Sequence, residues 1–445
     1  MTNEEKSALS TQFSRFLWSS VLITLSGCLG NVVDGIIVGN LIGQDGVSAI
    51  NLSKPVVQLY MTLNLLLGMG ASMLVGKAFG KKDNARAIYI FTLAVIINLA
   101  IGLFFTLMGL TANDRIAQVL CNHEQLLAQC KEYLLPMLLG APAYMMMWTF
   151  SAMISVDGSP RLASMAIIID NAVNLLLDLV FISLLGWGIT GSSLATVVGH
   201  LVGIAIMLRH FKFKNNNLRF SLKHERPEFL NIVSQGAPLA VASVCLTLLL
   251  LTANTTVLST LGRSGIFAFS VCMNLLQIYN LFVAGTCRTL QSLGAIQAGT
   301  GNNEAFSFVI DKSLRFITTA MGITCLLVLI WPQVITLLFG AEDAASAVES
   351  NRALRIFALS FIPFCYIYVL MIIYKLYNHH SMALFISFAL SLTVIPVLWF
   401  MAKYMPQYLW YSYLIAYLIE AVVIFALHKS RHIEFKLKNA TTSKD

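Results

Sequence analysis

The chain has 445 residues, 57% of them of the AVILMFWYC type and only 11% charged, with a mean hydropathy of +0.76. A soluble globular domain carries about 25% charged residues, so the composition excludes that class and points to a polytopic membrane protein. The net charge of +8 would suggest a nucleic-acid partner in a soluble chain. Here the basic residues fall in short loops, where they report membrane orientation, and no nucleic-acid partner is expected.

The first 14 residues are polar and mixed in charge. The apolar run behind them is too long for a signal-peptide core and lacks an A-x-A site, so no cleavable leader is expected. A membrane span needs about 20 mostly apolar residues. By that rule twelve spans are predicted, at 16–40, 47–73, 88–111, 132–154, 163–185, 191–208, 232–258, 264–290, 314–338, 354–377, 383–402 and 408–428.

Span 1 ends in "NVVDGIIVGN", where Asp34 stands with no basic residue beside it. An acid inside a span is costly and is a functional candidate by default. The loop after span 2 carries Lys77, Lys81, Lys82 and Arg86, whereas the loop after span 3 carries Asp114 and Glu124. Span 4 opens near Tyr133 and holds "YMMMWTF", a run that reads first as packing or lipid-facing residues. Span 5, "IIIDNAVNLLLDLVFI", places Asp170, Asn174 and Asp178 four residues apart, on one stripe of a helix. Span 6 carries Thr196 and His200; the histidine reads first as a hydrogen-bonded core residue. The segment "FKFKNNNLRFSLKHERPE" is read as a basic linker. Span 7 has Asn254 where span 1 has Asp34, span 10 has no acid, and span 12 holds Glu420 near its middle. The tail is basic again, with Lys429, Arg431, Lys436 and Lys438. These loop charges predict both termini on the cytoplasmic side.

The halves resemble one another. "VVDGIIVGNLIGQDGVSAI" and "TANTTVLSTLGRSGIFAF" occupy matching places, offset by about 220 residues. Six spans per half is an even number, so the halves are parallel repeats, the layout of transporters that move two bundles around a central site. The expected fold is all-α and polytopic, with twelve transmembrane helices in two pseudo-symmetric six-helix bundles. Spans 1–6 (1–210) form one lobe, 211–231 a cytoplasmic linker, spans 7–12 (232–430) the second lobe and 431–445 a tail. The eight cysteines are scattered; Cys121 and Cys130 share a polar loop and could pair on an oxidising side, and no spacing resembles a zinc site.

Depth links the intramembrane polar groups. Asp34 and Asp178 both lie roughly 10 Å below the outer surface at about 1.5 Å per residue. Thr196 reaches a similar depth and Tyr133 lies slightly above. A polar chamber in the outer half of the first lobe follows. Two carboxylates in a poorly hydrated chamber resist being charged together. Such a pair can take and release a proton, or hold Na⁺ between hard oxygen ligands. Asp170 lies nearer the membrane centre. Glu420 is a candidate for meeting a cationic substrate.

These segments resemble the multidrug and toxic compound extrusion (MATE) family. "VVDGIIVGNLIG" is similar to its first-span segment, "VDGSPRLASMAIIIDNAVNLLLDLVF" to its G-x-P loop and Asn-x-x-x-Asp of span 5, "GWGITGSSLATVVGH" to its glycine-rich start of span 6, and "QGAPLAV" to its start of span 7. The wording of the first segment is nearer the bacterial drug-efflux branch. The resemblance implies a cation-coupled antiporter, not an enzyme, that exports amphipathic, often cationic, organic compounds by alternating access. It implies a monomer in the bacterial cytoplasmic membrane, with no cofactor beyond the coupling ion. Asp34, Asp178, Asn174, Thr196 and Tyr133 would form the coupling network; Asp170, Glu420, His200 and Asn254 are further candidates for coupling or substrate contact. Some family members carry acids in spans 7 and 10 and this chain does not, which favours H⁺ over Na⁺; it also has Asp170 where a small residue is expected. No metal is assigned, with Na⁺ a possible ion at Asp34 and Asp178. A flippase for lipid-linked oligosaccharides is the alternative. It would need cations inside the cavity, and apart from Arg288 and Lys375 near cytoplasmic ends the spans are read as offering acids.

Overall fold

The computed structural model describes residues 2–121, 123–212, 216–221, 228–294, 296–297, 302–377 and 379–430. The predicted 431–445 tail and the linker residues Lys223 and Arg226 lie outside the described residues. All regular elements among the described residues are helices.

Among the described residues, nine helices are long and apolar enough to cross a bilayer. Leu239–Thr289 is one of these, but the helix that contains it breaks at Gly262 (φ 67°, ψ −154°), a backbone conformation that only glycine adopts at little cost. It therefore supplies spans 7 and 8. Glu124–Leu139 and Ala141–Val156 meet at a 52° bend and make one broken span, with Pro136 and Pro142 on either side of Gly140. With Asn3–Leu41 as span 1, the total reaches the expected twelve. Span 2 is Gln44–Gly80, span 3 Asn84–Leu120, span 4 the bent pair, span 5 Pro160–Leu184 and span 6 Gly188–Lys212. Span 9 is Asn303–Ile330, span 10 Ala344–Leu376, span 11 Ser381–Tyr404 and span 12 Pro406–Ser430.

The exposed surface is that of a protein in lipid. Leu103, Phe104, Leu107 and Leu110 lie along one exposed face of span 3. A bilayer solvates such a face, while each span satisfies its backbone internally.

The residues fall into two compact units, 33–259 and 1–32 with 260–445. The expected lobes, 1–210 and 232–430, follow chain order; the units exchange the ends of that division. Two sets of contacts explain why. In the first unit, the start of span 7 lies on span 2: a Cβ on Gly236 would stand 1.9 Å from the Leu66 carbonyl oxygen, so only glycine permits that approach. In the second unit, the start of span 1 packs on the second half of the chain, with Trp18 edge-on to Phe316 at 6.3 Å and Val21 against Gly285.

The 33–259 unit is built around Leu67, Val75, Phe91, Phe150 and Met153, joined by Leu218 of the linker and Ile232 of span 7. Asp157, in the "VDGSP" turn, holds the linker there. Its carboxylate accepts hydrogen bonds from the Asn217 backbone N–H (3.1 Å), the Asn217 side chain (3.0 Å) and the Leu218 N–H (3.2 Å), and pairs with His210 Nε2 at 2.7 Å. The other unit is aromatic at its core, with Phe357 edge-on to Phe269, Phe361 and Trp410 and tilted against Tyr413. Cys121 and Cys130 are buried free thiols.

Candidate functional site

The polar residues of spans 5 and 6 face one another. Asp170, Asn174 and Asp178 recur every four residues on span 5; Ser192, Thr196 and His200 do so on span 6. A step of four keeps side chains on one helical face. The two helices run back to back from the Leu185–Trp187 connection, so the two stripes meet as a ladder. Asn174 Nδ2 donates to Thr196 Oγ1 at 3.1 Å, and His200 Nδ1 lies 2.9 Å from Asp170 Oδ2. Thr196 Oγ1 in turn donates to the Ser192 carbonyl at 3.3 Å.

Asp34 of span 1 joins the Asp178 end of this ladder. Ser192 Oγ donates to Asp34 Oδ1 at 3.5 Å, and the Asp34 and Asp178 carboxyls are close enough to interact directly. Asp178 is fully buried, and neither of its oxygens has a hydrogen-bond partner among the described residues. A buried carboxyl left in that state is costly unless something neutralises it. A π-helical turn, Leu179–Leu184, begins directly after Asp178; such turns recur at functional positions because they redirect the side chains around them. Tyr133 of span 4 is buried within electrostatic reach of both acids, and Tyr144 within reach of Asp34, Asp170 and Asp178.

Asp34, Tyr133, Asn174, Asp178 and Thr196 thus form one polar cluster, with Asp170 and His200 further along the same ladder. Two candidates lie elsewhere. Asn254 pairs with Asn51 of span 2, donating to the Asn51 carbonyl at 2.8 Å and accepting from its Nδ2 at 2.9 Å. That mutual clamp ties span 7 to span 2. Glu420 belongs to the other unit, where it is 2% exposed and its carboxyl oxygens have no hydrogen-bond partner among the described residues.

The structure adds Ser192, Tyr144 and Lys54. Ser192 shares the four-residue step of Thr196 and His200, a pattern as visible in span 6 as in span 5. Lys54 stands inside span 2, and its charge is felt by Asp34 and feels it in return. This corrects the expectation that the spans offer acids alone away from the cytoplasmic ends. The signal was present: a lysine within 47–73 is an intramembrane ionisable residue like any other.

These features define a class: a twelve-span helical membrane protein with its intramembrane acids gathered largely in one unit. The family model MatE matches residues 19–180 and 238–400, and the chain belongs to the MatE family. Among curated relatives, it is 25% identical over 266 residues to the multidrug export protein MepA of Staphylococcus haemolyticus (strain JCSC1435), covering 58% of this chain and 59% of that protein. It is 24% identical over 286 residues to MepA of Staphylococcus aureus (strain MRSA252), covering 64% and 63%. These matches span less than two thirds of the relatives' own lengths. Among solved structures, an inward-facing multidrug resistance MATE family transporter of the MOP superfamily superposes with a TM-score of 0.81 at 18% identity, covering 93% of this chain and 98% of that one. The two share a fold.

Proposed function

We propose that the chain is a cation-coupled antiporter that exports amphipathic, often cationic, organic compounds by alternating access of its two lobes. The observation that carries this reading is the Asp34–Asp178 pair, two facing carboxyls of which Asp178 is fully buried. Membership of the MatE family and likeness to two multidrug export proteins support the substrate class. Cation uptake at the pair would neutralise Asp178. Release of the cation would restore a charge that the chamber cannot keep dry, and would return the lobe to its hydrated state. Asn174, Thr196, Ser192 and Tyr133 would orient the carboxyls in either protonation state.

H⁺ is the better coupling ion. Na⁺ would be a second positive charge beside the Lys54 ammonium, whereas a proton is absorbed into a neutral carboxylic acid. Both termini would lie in the cytoplasm of a bacterial cell, since the basic residues concentrate on that side of the spans. The protein would act as a monomer.

Dye efflux from everted vesicles, driven separately by a pH gradient and a Na⁺ gradient, tests the reading. Wild type is expected to export under the pH gradient and Asp34→Asn to lose it. Undiminished export by a properly inserted Asp34→Asn protein would refute the role of the pair.

A further inference from the structure

Asp170 and His200 are not needed to bind a cation at Asp34 and Asp178, yet the fold makes room for them. Asp170 is 4% exposed and His200 8%. His200 Nδ1 lies 2.9 Å from Asp170 Oδ2 and 3.1 Å from Oδ1. The pocket around them is made by glycine. A Cβ on Gly199 would stand 2.6 Å from Asp170 Oδ1, and one on Gly203 3.3 Å from Asp170 Cβ. This Gly-x-x-x-Gly step brings span 6 close to span 5 where the carboxylate must fit. Tyr144 of span 4 closes the site, edge-on to the imidazole at 4.4 Å and 88°.

We propose that Asp170 and His200 form a second proton-holding station, in line with Asp34 and Asp178, whose occupancy and that of the outer pair govern each other. The proposal rests on the reading that the outer pair takes up a cation. With one proton between them the two groups carry no net charge, either as carboxylate and imidazolium or as carboxylic acid and imidazole. Loss of that proton leaves a net negative charge in the membrane interior. The titratable groups around the station are Tyr144 and Tyr133 of span 4, Asp178 of span 5 and Asp34 of span 1, with Lys54 of span 2 acting on Asp34. The Asn174–Thr196 rung stands between the station and the outer pair.

The two sites are close enough to feel one another. Asp170 and Asp178 are eight residues apart on one helix, about 12 Å at 1.5 Å per residue. Two unit charges at that distance, with an effective protein dielectric constant of about 20, alter each other's proton affinity about tenfold. A purely structural hydrogen bond would need no titration, and an asparagine at 170 would satisfy the ring nitrogen equally well.

The test is ring-nitrogen NMR of the full-length purified protein carrying isotopically labelled histidine, titrated with pH. The His200 signal among the eight histidines is identified by its loss in His200→Gln. The proposal expects the His200 ring to change protonation with pH in wild type, with a midpoint displaced by about one pH unit in Asp178→Asn. It also expects a displacement in Asp170→Asn, which keeps a hydrogen-bond partner for the ring and serves if His200→Gln fails to fold. A ring that never changes protonation, or a midpoint that neither variant moves, overturns the station. The result is independent of transport. If wild-type efflux needs neither ion gradient but the midpoint still moves with Asp178→Asn, the antiport reading falls and the station stands.

Discussion

Asp178 and Lys54 set the chemistry of the chamber at the scale of single residues. Asp178 is fully buried and faces Asp34, which makes it the residue whose exchangeable charge the antiport proposal needs. Replacing it by asparagine removes the exchangeable charge while keeping the volume. Asp178→Asn is expected to reach the membrane at wild-type levels and to lose gradient-driven efflux, measured as initial rates in vesicles; retained efflux would assign the pair a purely structural role. Lys54 stands within electrostatic reach of Asp34, and under the antiport proposal its ammonium would repel Na⁺ there. Its repulsion of Na⁺ disappears in Lys54→Gln, which is expected to show Na⁺-stimulated efflux that wild type lacks. An unchanged ion preference in that variant would remove Lys54 from ion selection. Asp34, Asn174, Asp178 and Thr196 were legible in the sequence because helical periodicity and span depth are one-dimensional quantities. Lys54 was equally readable by the rule that flags ionisable residues in spans. Its nearness to Asp34 was not, because it depends on how span 2 packs beside span 1.

Glycine and aspartate decide how the elements meet. Gly236 lies on the Leu66 carbonyl with no room for a methyl group. Gly236→Ala is therefore expected to destabilise the unit by about 1–3 kcal/mol, the usual cost of overpacking, read as a lower Tm of the purified protein. The Asp157 carboxylate gathers His210, Asn217 and Leu218. Asp157→Ala strands several buried donors at about 1–3 kcal/mol each. It is expected to free residues 216–221, seen as faster limited proteolysis of the linker than in wild type. The sequence announced the G-x-P turn as a family resemblance but not this task, since the residues that Asp157 binds lie some 50 to 60 positions further on. The facing stripes of spans 5 and 6 were half legible. The Asp170–Asn174–Asp178 stripe was read directly. The matching Ser192–Thr196–His200 stripe has the same spacing, but serine and threonine are common in spans and draw attention only once a partner stripe faces them.

Across the described residues, twelve spans and an internal repeat followed from apolar length and self-similarity, and the helices bear out the number once the Gly262 break and the Gly140 bend are recognised and Asn3–Leu41 is counted as span 1. What the linear pattern does not encode is the exchange of ends: residues 1–32 group with 260–445, and the start of span 7 with the first half. Hydrophobic runs announce that a span exists; small-residue contacts such as Gly236 on Leu66 and Val21 on Gly285 decide which neighbours it takes. The acids are distributed just as unevenly. Of the candidate acids, the 33–259 unit holds Asp34, Asp170 and Asp178 and the other holds Glu420, so the proposed coupling site lies in the first. The central claim is exchange, and exchange is reciprocal: a substrate gradient alone must move the coupling ion the other way. The most direct measurement uses purified protein in liposomes that enclose a pH-sensitive dye, with an outward gradient of a cationic substrate and no imposed pH gradient. Antiport predicts acidification of the interior by wild type, abolished in Asp34→Asn under the same substrate gradient. Substrate movement without any proton movement in wild type, or the same acidification in Asp34→Asn, would contradict it.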